Sequence, residues 1–231
     1  LAVLNDNAQR SEYLMRLNQT LYLRDIIERN KIANEEAFTD LMNVMASGIG
    51  APCNPNKIAN TFKTVRKETL APHTIANYLS YMEDAFIIEK SIRYDIKGRK
   101  YIGTLAKYYF QDVGLRNALL NFRQVEETHI MENIIYNELR SRGYSVDVGM
   151  IEARTATERR QLEVDFVANK GDKRYYIQSA FALPNEEKRE QELASLKRIN
   201  DSFKKVIIMR DDISPYHDEN GVLIMGLMDF L

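Results

Sequence analysis

Apolar residues recur at helical spacing through the first fifth of the chain, at Tyr13, Leu14, Leu17, Leu21 and Leu23 and again at Phe38, Leu41, Met42 and Met45. Two helices are expected over residues 1 to about 50, with Gly48 and Gly50 ending the second. Asn54-Pro55-Asn56 reads as a turn and cap for a short helix over Lys57 to Arg66, with Ile58, Ala59 and Phe62 on one face. Pro72 suits the first turn of a further helix, His73 to Ala85, whose stripe is Ile75, Tyr78, Leu79 and Met82. The pattern then turns extended. Residues 86–94 and 107–110 are rich in β-branched and aromatic side chains, and Lys97-Gly98-Arg99-Lys100 between them is a polar turn. Two short helices followed by a hairpin spell a winged helix-turn-helix.

After Gly114 the chain changes character. A helix from about Glu126 to Ser141 ends at Gly143. Three strand-like runs follow, Tyr144 to Met150, Leu162 to Ala168 and Tyr175 to Phe181, the last two joined by the hairpin signal Asn169-Lys170-Gly171-Asp172. A charged helix, Asn185 to Asn200, precedes the apolar run Lys205 to Met209, of the kind buried in a mixed or parallel sheet, and Val222 to Met225 reads as an edge strand. Helix, three strands, helix, strand is the core order of restriction-endonuclease-like folds. The expected class is α/β in the α+β sense, with a helical and winged-helix region over residues 1–120 and a nuclease-like α-β-β-β-α-β domain over 121–231.

Composition narrows the function classes. Among 231 residues, 32 Lys and Arg meet 33 Asp and Glu, so the whole chain is no general nucleic-acid binder. Divided near residue 120, the halves carry +3 and -4. Positive charge concentrates in the hairpin at Arg93, Lys97, Arg99, Lys100 and Lys107, where DNA backbone would be met first. The helix from Pro72 offers His73, Thr74, Asn77, Tyr78 and Ser80 but no Arg, so a winged helix used only for protein packing stays open beside DNA contact. The single cysteine, Cys53, excludes an internal disulfide and a cysteine zinc site and points to a reducing, cytoplasmic setting; His73, His129 and His217 lack partners at ligand spacing. No apolar run is long enough for a membrane span, and no GxxxxGK[ST] loop occurs, so this stretch alone is not expected to bind ATP. Leu1 in place of Met reads as the edge of a fragment or a processed start.

The chemistry-bearing stretch is Glu163-Val164-Asp165-Phe166-Val167, followed by Tyr176-Ile177-Gln178-Ser179-Ala180. Strict alternation would put Glu163, Asp165 and Val167 on one face, with Gln178 and Ala180 opposite. A carboxylate on one strand, an acid or amide on the next and a Lys two positions later are what Mg²⁺-dependent phosphodiester cleavage requires, and Glu132 on the preceding helix adds a further carboxylate. Asp165 is the metal candidate. Ala180 stands where the Lys is needed, and Lys170, Lys173 and Arg174 are the cations beside the hairpin that would have to reach back. The competing reading makes Glu163 and Asp165 the solvent side of an amphipathic strand, with Val164, Phe166 and Val167 in the core.

On Tyr22-Leu23-Arg24-Asp25-Ile26, Tyr109-Phe110-Gln111-Asp112-Val113-Gly114-Leu115, Glu132-Asn133 and Glu163-Val164-Asp165-Phe166, the chain resembles the C-terminal half of prokaryotic AAA-type ATPases, whose tail is a PD-(D/E)XK nuclease-like domain. The resemblance implies an ATPase domain of the parent chain upstream, with ATP bound there, and no cofactor in this part beyond Mg²⁺ at the nuclease-like site. It implies a nucleic-acid- or partner-binding accessory role and does not imply nuclease activity; Ala180, where the nuclease pattern has Lys, departs from that pattern, so the domain is expected to have lost catalytic competence. A divergent Mg²⁺-dependent nuclease using Glu132, Asp165 and Gln178, and a module that binds only protein, remain the alternatives.

Overall fold

A computed structural model describes residues 6–66, 69–123, 126–154 and 159–231. The chain divides into two compact units, residues 1–90 with 107–126 and residues 91–106 with 127–231. The class is mixed α/β. The division differs from a single cut near residue 120, because the outer part of the hairpin groups with the second unit.

The first unit is helical. It holds α1 (Asn7–Leu17), α2 (Arg24–Asn30), α3 (Glu35–Ser47), α4 (Pro55–Thr61), α5 (Pro72–Asp84) and α6 (Val113–Leu119), with π-helical turns after α1 and α4. Start signals act as their chemistry dictates: the Asn34 and Asn54 side chains accept from backbone N–H groups of α3 and α4, and Pro72 opens α5. Ile26, Phe38, Leu41, Met42, Ile75, Leu79 and Met82 form the interior, and Phe38 meets Tyr78 edge to face at 5.3 Å. Tyr13, expected on the α1 stripe, is exposed instead, and Leu14 takes the buried position. Arg116 is fully buried, its Nε donating to the Ala46 carbonyl at 2.7 Å and its Nη1 to Asn117 Oδ1 at 3.0 Å.

Strands β1 (Ile88–Asp95) and β2 (Lys100–Phe110) form the expected hairpin, β2 being longer than its aromatic end suggests. They are followed by α7 (Glu127–Ser141), β3 (Ser145–Arg154), β4 (Arg159–Lys170), β5 (Lys173–Ala180), α8 (Glu186–Leu196), β6 (Lys204–Met209), β7 (Tyr216–His217), β8 (Leu223–Gly226) and α9 (Leu227–Phe230). The eight-stranded mixed sheet runs β2-β1-β3-β4-β5-β6-β8-β7. β1 pairs parallel to β3, Arg93 opposite Val148 and Asp95 opposite Met150, so the hairpin is not a free wing: its inner edge is taken by the sheet. β5, β6 and β8 continue in parallel.

The two large helices of this unit use opposite faces of the sheet. Tyr136 of α7 packs against Phe166, whereas Leu193 and Leu196 of α8 join Val164, Val167, Tyr176 and Ala180 in one apolar cluster. Val164 and Val167 share a face only because alternation breaks between them. Asp147 pairs with Val167 and Gly149 with Val164, so β4 carries one extra residue in a bulge around Asp165 and Phe166. Gly149 makes room for it: a Cβ there would lie 2.9 Å from atoms of Ile96, Val164 and Val167.

Candidate functional site

The β4–β5 ladder ends at the pair Phe166 and Ile177, and beyond it two side chains stitch the strands together. Asp165, 9% exposed, accepts at Oδ2 from the Ser179 N–H at 2.8 Å. Gln178 Oε1 accepts in turn from the Asp165 N–H at 3.4 Å, and Gln178 Nε2 donates to Glu192 Oε2 of α8 at 3.3 Å. Lys188 Nζ sits 2.7 Å from Glu192 Oε1. The bulge is the local cause of this arrangement: it lifts Asp165 out of the ladder, so a side-chain oxygen meets a backbone donor that the neighbouring strand no longer serves. A cleft of mixed lining, about 550 Å³, opens here, between the end of β5 and the start of α8, lined by Thr128, Ser179, Phe181, Pro184, Lys188 and Glu192 among others.

Asp165 and Gln178 are therefore brought together as expected, but as a backbone stitch. Strict alternation across Glu163, Asp165 and Val167 fails, since Val167 faces the α8 core and Glu163 meets the Arg93 guanidinium at 3.5 Å. Glu132 is buried on α7. Among the described residues no three His, Cys, Asp or Glu side chains gather as a metal would require. Ala180 lies 2% exposed inside the apolar cluster, where an ammonium would be desolvated at high cost. The hairpin cations do not compensate: Lys170 donates to the Arg142 carbonyl at 2.7 Å, and Arg174 lies between the rings of Tyr94 and Phe203. These residues do not fit a Mg²⁺ site, and no catalytic step follows from them.

The basic candidates of the hairpin separate in the same way. Lys97, Arg99 and Lys100 are exposed on the turn. That turn is pinned by Asp95, whose Oδ1 accepts from the Gly98 N–H at 2.9 Å, with Arg99 at a φ of 51°. Arg93 is committed to Glu163, and Lys107, expected to contact nucleic acid, is only 5% exposed because the inner end of β2 runs into an apolar interior.

Sequence reasoning missed the surroundings of the exposed turn. Within the second unit, Tyr94, Lys97, Arg99, Arg174, Arg198, Asp201 and Phe203 are the charged and aromatic members of a cleft of about 630 Å³. The Arg174 guanidinium lies 5.5 Å from the centre of the Tyr94 ring and 5.2 Å from that of Phe203, and its Nε donates to Asn169 Oδ1 at 2.7 Å. Tyr176 donates to Asp201 Oδ2 at 2.6 Å; burial and that bond push its hydroxyl up to about 12.

A family model described as "Domain of unknown function (DUF8612)" matches residues 2–126. The chain is similar to an uncharacterized protein of Haemophilus influenzae, 32% identical over 99% of this chain and 54% of that one. It is also similar to the uncharacterized protein MJ1544 of Methanocaldococcus jannaschii, 26% identical over 92% of this chain and 47% of the other. It thus spans about half the length of these curated relatives. Among solved structures it is similar to protein VC1899 from Vibrio cholerae, at 12% identity and a TM-score of 0.34 over 97% of this chain and 54% of that one, a likeness too remote to carry an assignment.

Proposed function

The chain belongs to the DUF8612 family, and we propose that it is a non-catalytic accessory part of a larger AAA-type ATPase that holds nucleic acid, with ATP bound in a part of the protein outside these residues. The observation that carries the reading is the placement of positive charge: Lys97, Arg99 and Lys100 stand exposed on a turn that its own Asp95 pins, in a chain whose net charge is only -1. Two further features support it. The order α7-β3-β4-β5-α8-β6 agrees with the helix, three strands, helix, strand order expected of a PD-(D/E)XK core, and the candidate nuclease residues Asp165 and Gln178 are engaged in the stitch between β4 and β5 while Ala180 packs in the core.

The test incubates the chain with labelled single- and double-stranded DNA at low and moderate salt, with Mn²⁺ or with chelator, on native and denaturing gels. The expected result is a salt-sensitive shift with intact DNA; three phosphate contacts give a slope of log affinity on log salt of about -2 for single strands. Mn²⁺-dependent cutting that disappears in Asp165→Ala would establish the divergent nuclease instead. Absence of any salt-dependent shift would leave a protein partner as the reading.

A further inference from the structure

We propose that the cleft formed by the hairpin turn, the start of β5 and the loop after α8 takes a single-stranded nucleic acid, with its phosphates on Lys97, Arg99 and Arg198 and a base against the exposed ring of Phe203. The inference rests on the nucleic-acid reading above and gives it a site and a strand preference.

Charge is the first argument. Four cations, Lys97, Arg99, Arg174 and Arg198, face the cleft against one carboxylate, Asp201. That carboxylate is occupied within the fold: Oδ2 accepts from the Tyr176 hydroxyl at 2.6 Å and Oδ1 from the Phe203 N–H at 3.2 Å. Asp201 therefore shapes the loop that carries Phe203 while the cations set the field an anion meets. Local excess of this kind in a nearly neutral chain is the footprint of a polyanion site.

The aromatic groups say which polyanion. Phe203 is 38% exposed at the rim, although a ring gains by burial, and Tyr101, 59% exposed, stands edge-on to Tyr94 at 5.4 Å. Arg174, held between Tyr94 and Phe203, ties the ring to the cationic wall. Cations along a groove with a ring beside them suit unstacked bases, because stacking on an aromatic face is tolerant of sequence and available only to bases outside a duplex. A cleft of about 630 Å³ is the size of a small-ligand pocket, which suits a nucleotide splayed from a single strand. Helix α5, nominated by its sequence for duplex reading, exposes His73, Asn77 and Ser80 and no Arg or Lys.

The experiment measures fluorescence anisotropy of labelled oligo-dT, oligo-rU and a hairpin duplex of equal charge against the full 231-residue chain, over a salt series, with polyglutamate as competitor. Both single strands are expected to bind more tightly than the duplex. Phe203→Ala weakens them roughly 5- to 150-fold, one stacked base's worth, with the salt slope unchanged. Arg198→Ala weakens them with a slope shallower by about 0.7. Phe203→Leu, which keeps apolar bulk without the ring, shows the same loss as Phe203→Ala, and a melting temperature equal to that of the parent protein separates lost stacking from lost folding. Salt-dependent binding that favours duplex, or that ignores both Phe203 variants, overturns the cleft and leaves the nucleic-acid reading standing. Displacement by polyglutamate at equal charge also overturns it, in favour of an acidic protein surface. No salt-dependent binding of any probe removes the underlying reading itself.

Discussion

If Asp165 is a stitch between strands, its removal must cost stability, although its sequence pattern makes it a candidate nuclease carboxylate. Its Oδ2 accepts from the Ser179 N–H at 2.8 Å in a setting where Asp165 is 9% exposed, and the β4–β5 ladder supplies no substitute past Phe166 and Ile177. Asp165→Ala strands that N–H in the seam, at a cost of about 1–3 kcal/mol. Asp165→Asn keeps an amide oxygen at the same reach and loses only the charge assistance, about half of the interaction. At about 2–4 °C per kcal/mol for a chain of this length, the alanine variant melts roughly 2–12 °C lower and the asparagine variant lies between it and the parent. Differential scanning calorimetry in chelator reads both, and hydrogen exchange at the Ser179 amide localises the effect. A carboxylate retained for a metal behaves oppositely, since its loss is neutral or stabilising in the metal-free protein. An alanine variant within about 0.5 kcal/mol of the parent would refute the stitch, as would an asparagine variant as damaged as the alanine one.

Three further outcomes follow from the geometry. Gly149→Ala puts a methyl 2.9 Å from Ile96 Cδ1, Val164 Cβ and Val167 Cγ2; with the bulge unable to yield, the second unit loses about 1–3 kcal/mol in urea denaturation, and an unchanged midpoint would contradict the packing. Burial pushes the Cys53 thiol up to about 11, so iodoacetamide at pH 8 labels the native protein roughly a hundredfold more slowly than the denatured one, by mass spectrometry; equal rates would count against it. Burial also raises the carboxyl of Asp147, opposed by the Tyr101 hydroxyl bond and by Arg174 and Arg140. The native state thus holds that proton longer than the unfolded chain, so this contribution is fully present below the ordinary aspartate value of about 3.9 and is lost as pH rises through the raised one. Asp147→Asn flattens that part of the urea-midpoint-against-pH curve, and a curve as steep as that of the parent would show that another group titrates.

Elements were legible wherever one period ran unbroken. Ile75, Tyr78, Leu79 and Met82 are all buried along α5, and the helix, three strands, helix, strand order of the second half follows from the places where apolar runs meet Gly143, Gly171 and the Asn185 cap. Faces were legible only while alternation held. A single inserted residue in β4 moves Val167 onto the side of Val164, and with it falls the expectation that Asp165 lines an open catalytic face. The trace of the bulge in the sequence is faint: apolar residues of both parities, Val164, Phe166 and Val167, surround one acid. Its other half, the Gly149 that makes room for the displaced valine, lies on a different strand, and only the pairing register connects the two.

The same limit governs the cations. Charge density along the chain picked out the hairpin, but it could not say that Lys107 turns inward or that Arg93 pairs with Glu163, because burial and pairing depend on tertiary packing and not on local composition. Nor could it unite Lys97 and Arg99 with Arg174 and Arg198. Residues 75 to 101 positions away line one cleft with the turn, and β5 and β6 run in parallel with Tyr175 opposite Lys204, which sets the loop after α8 beside the start of β5. A parallel pair needs a crossover, here α8, so the partners it brings together are always distant in sequence. Sites built at the ends of parallel strands are for that reason read from topology first and from composition second, and in this chain the cleft that gathers Lys97, Arg99, Arg174 and Arg198 with Tyr94 and Phe203 lies at such an end.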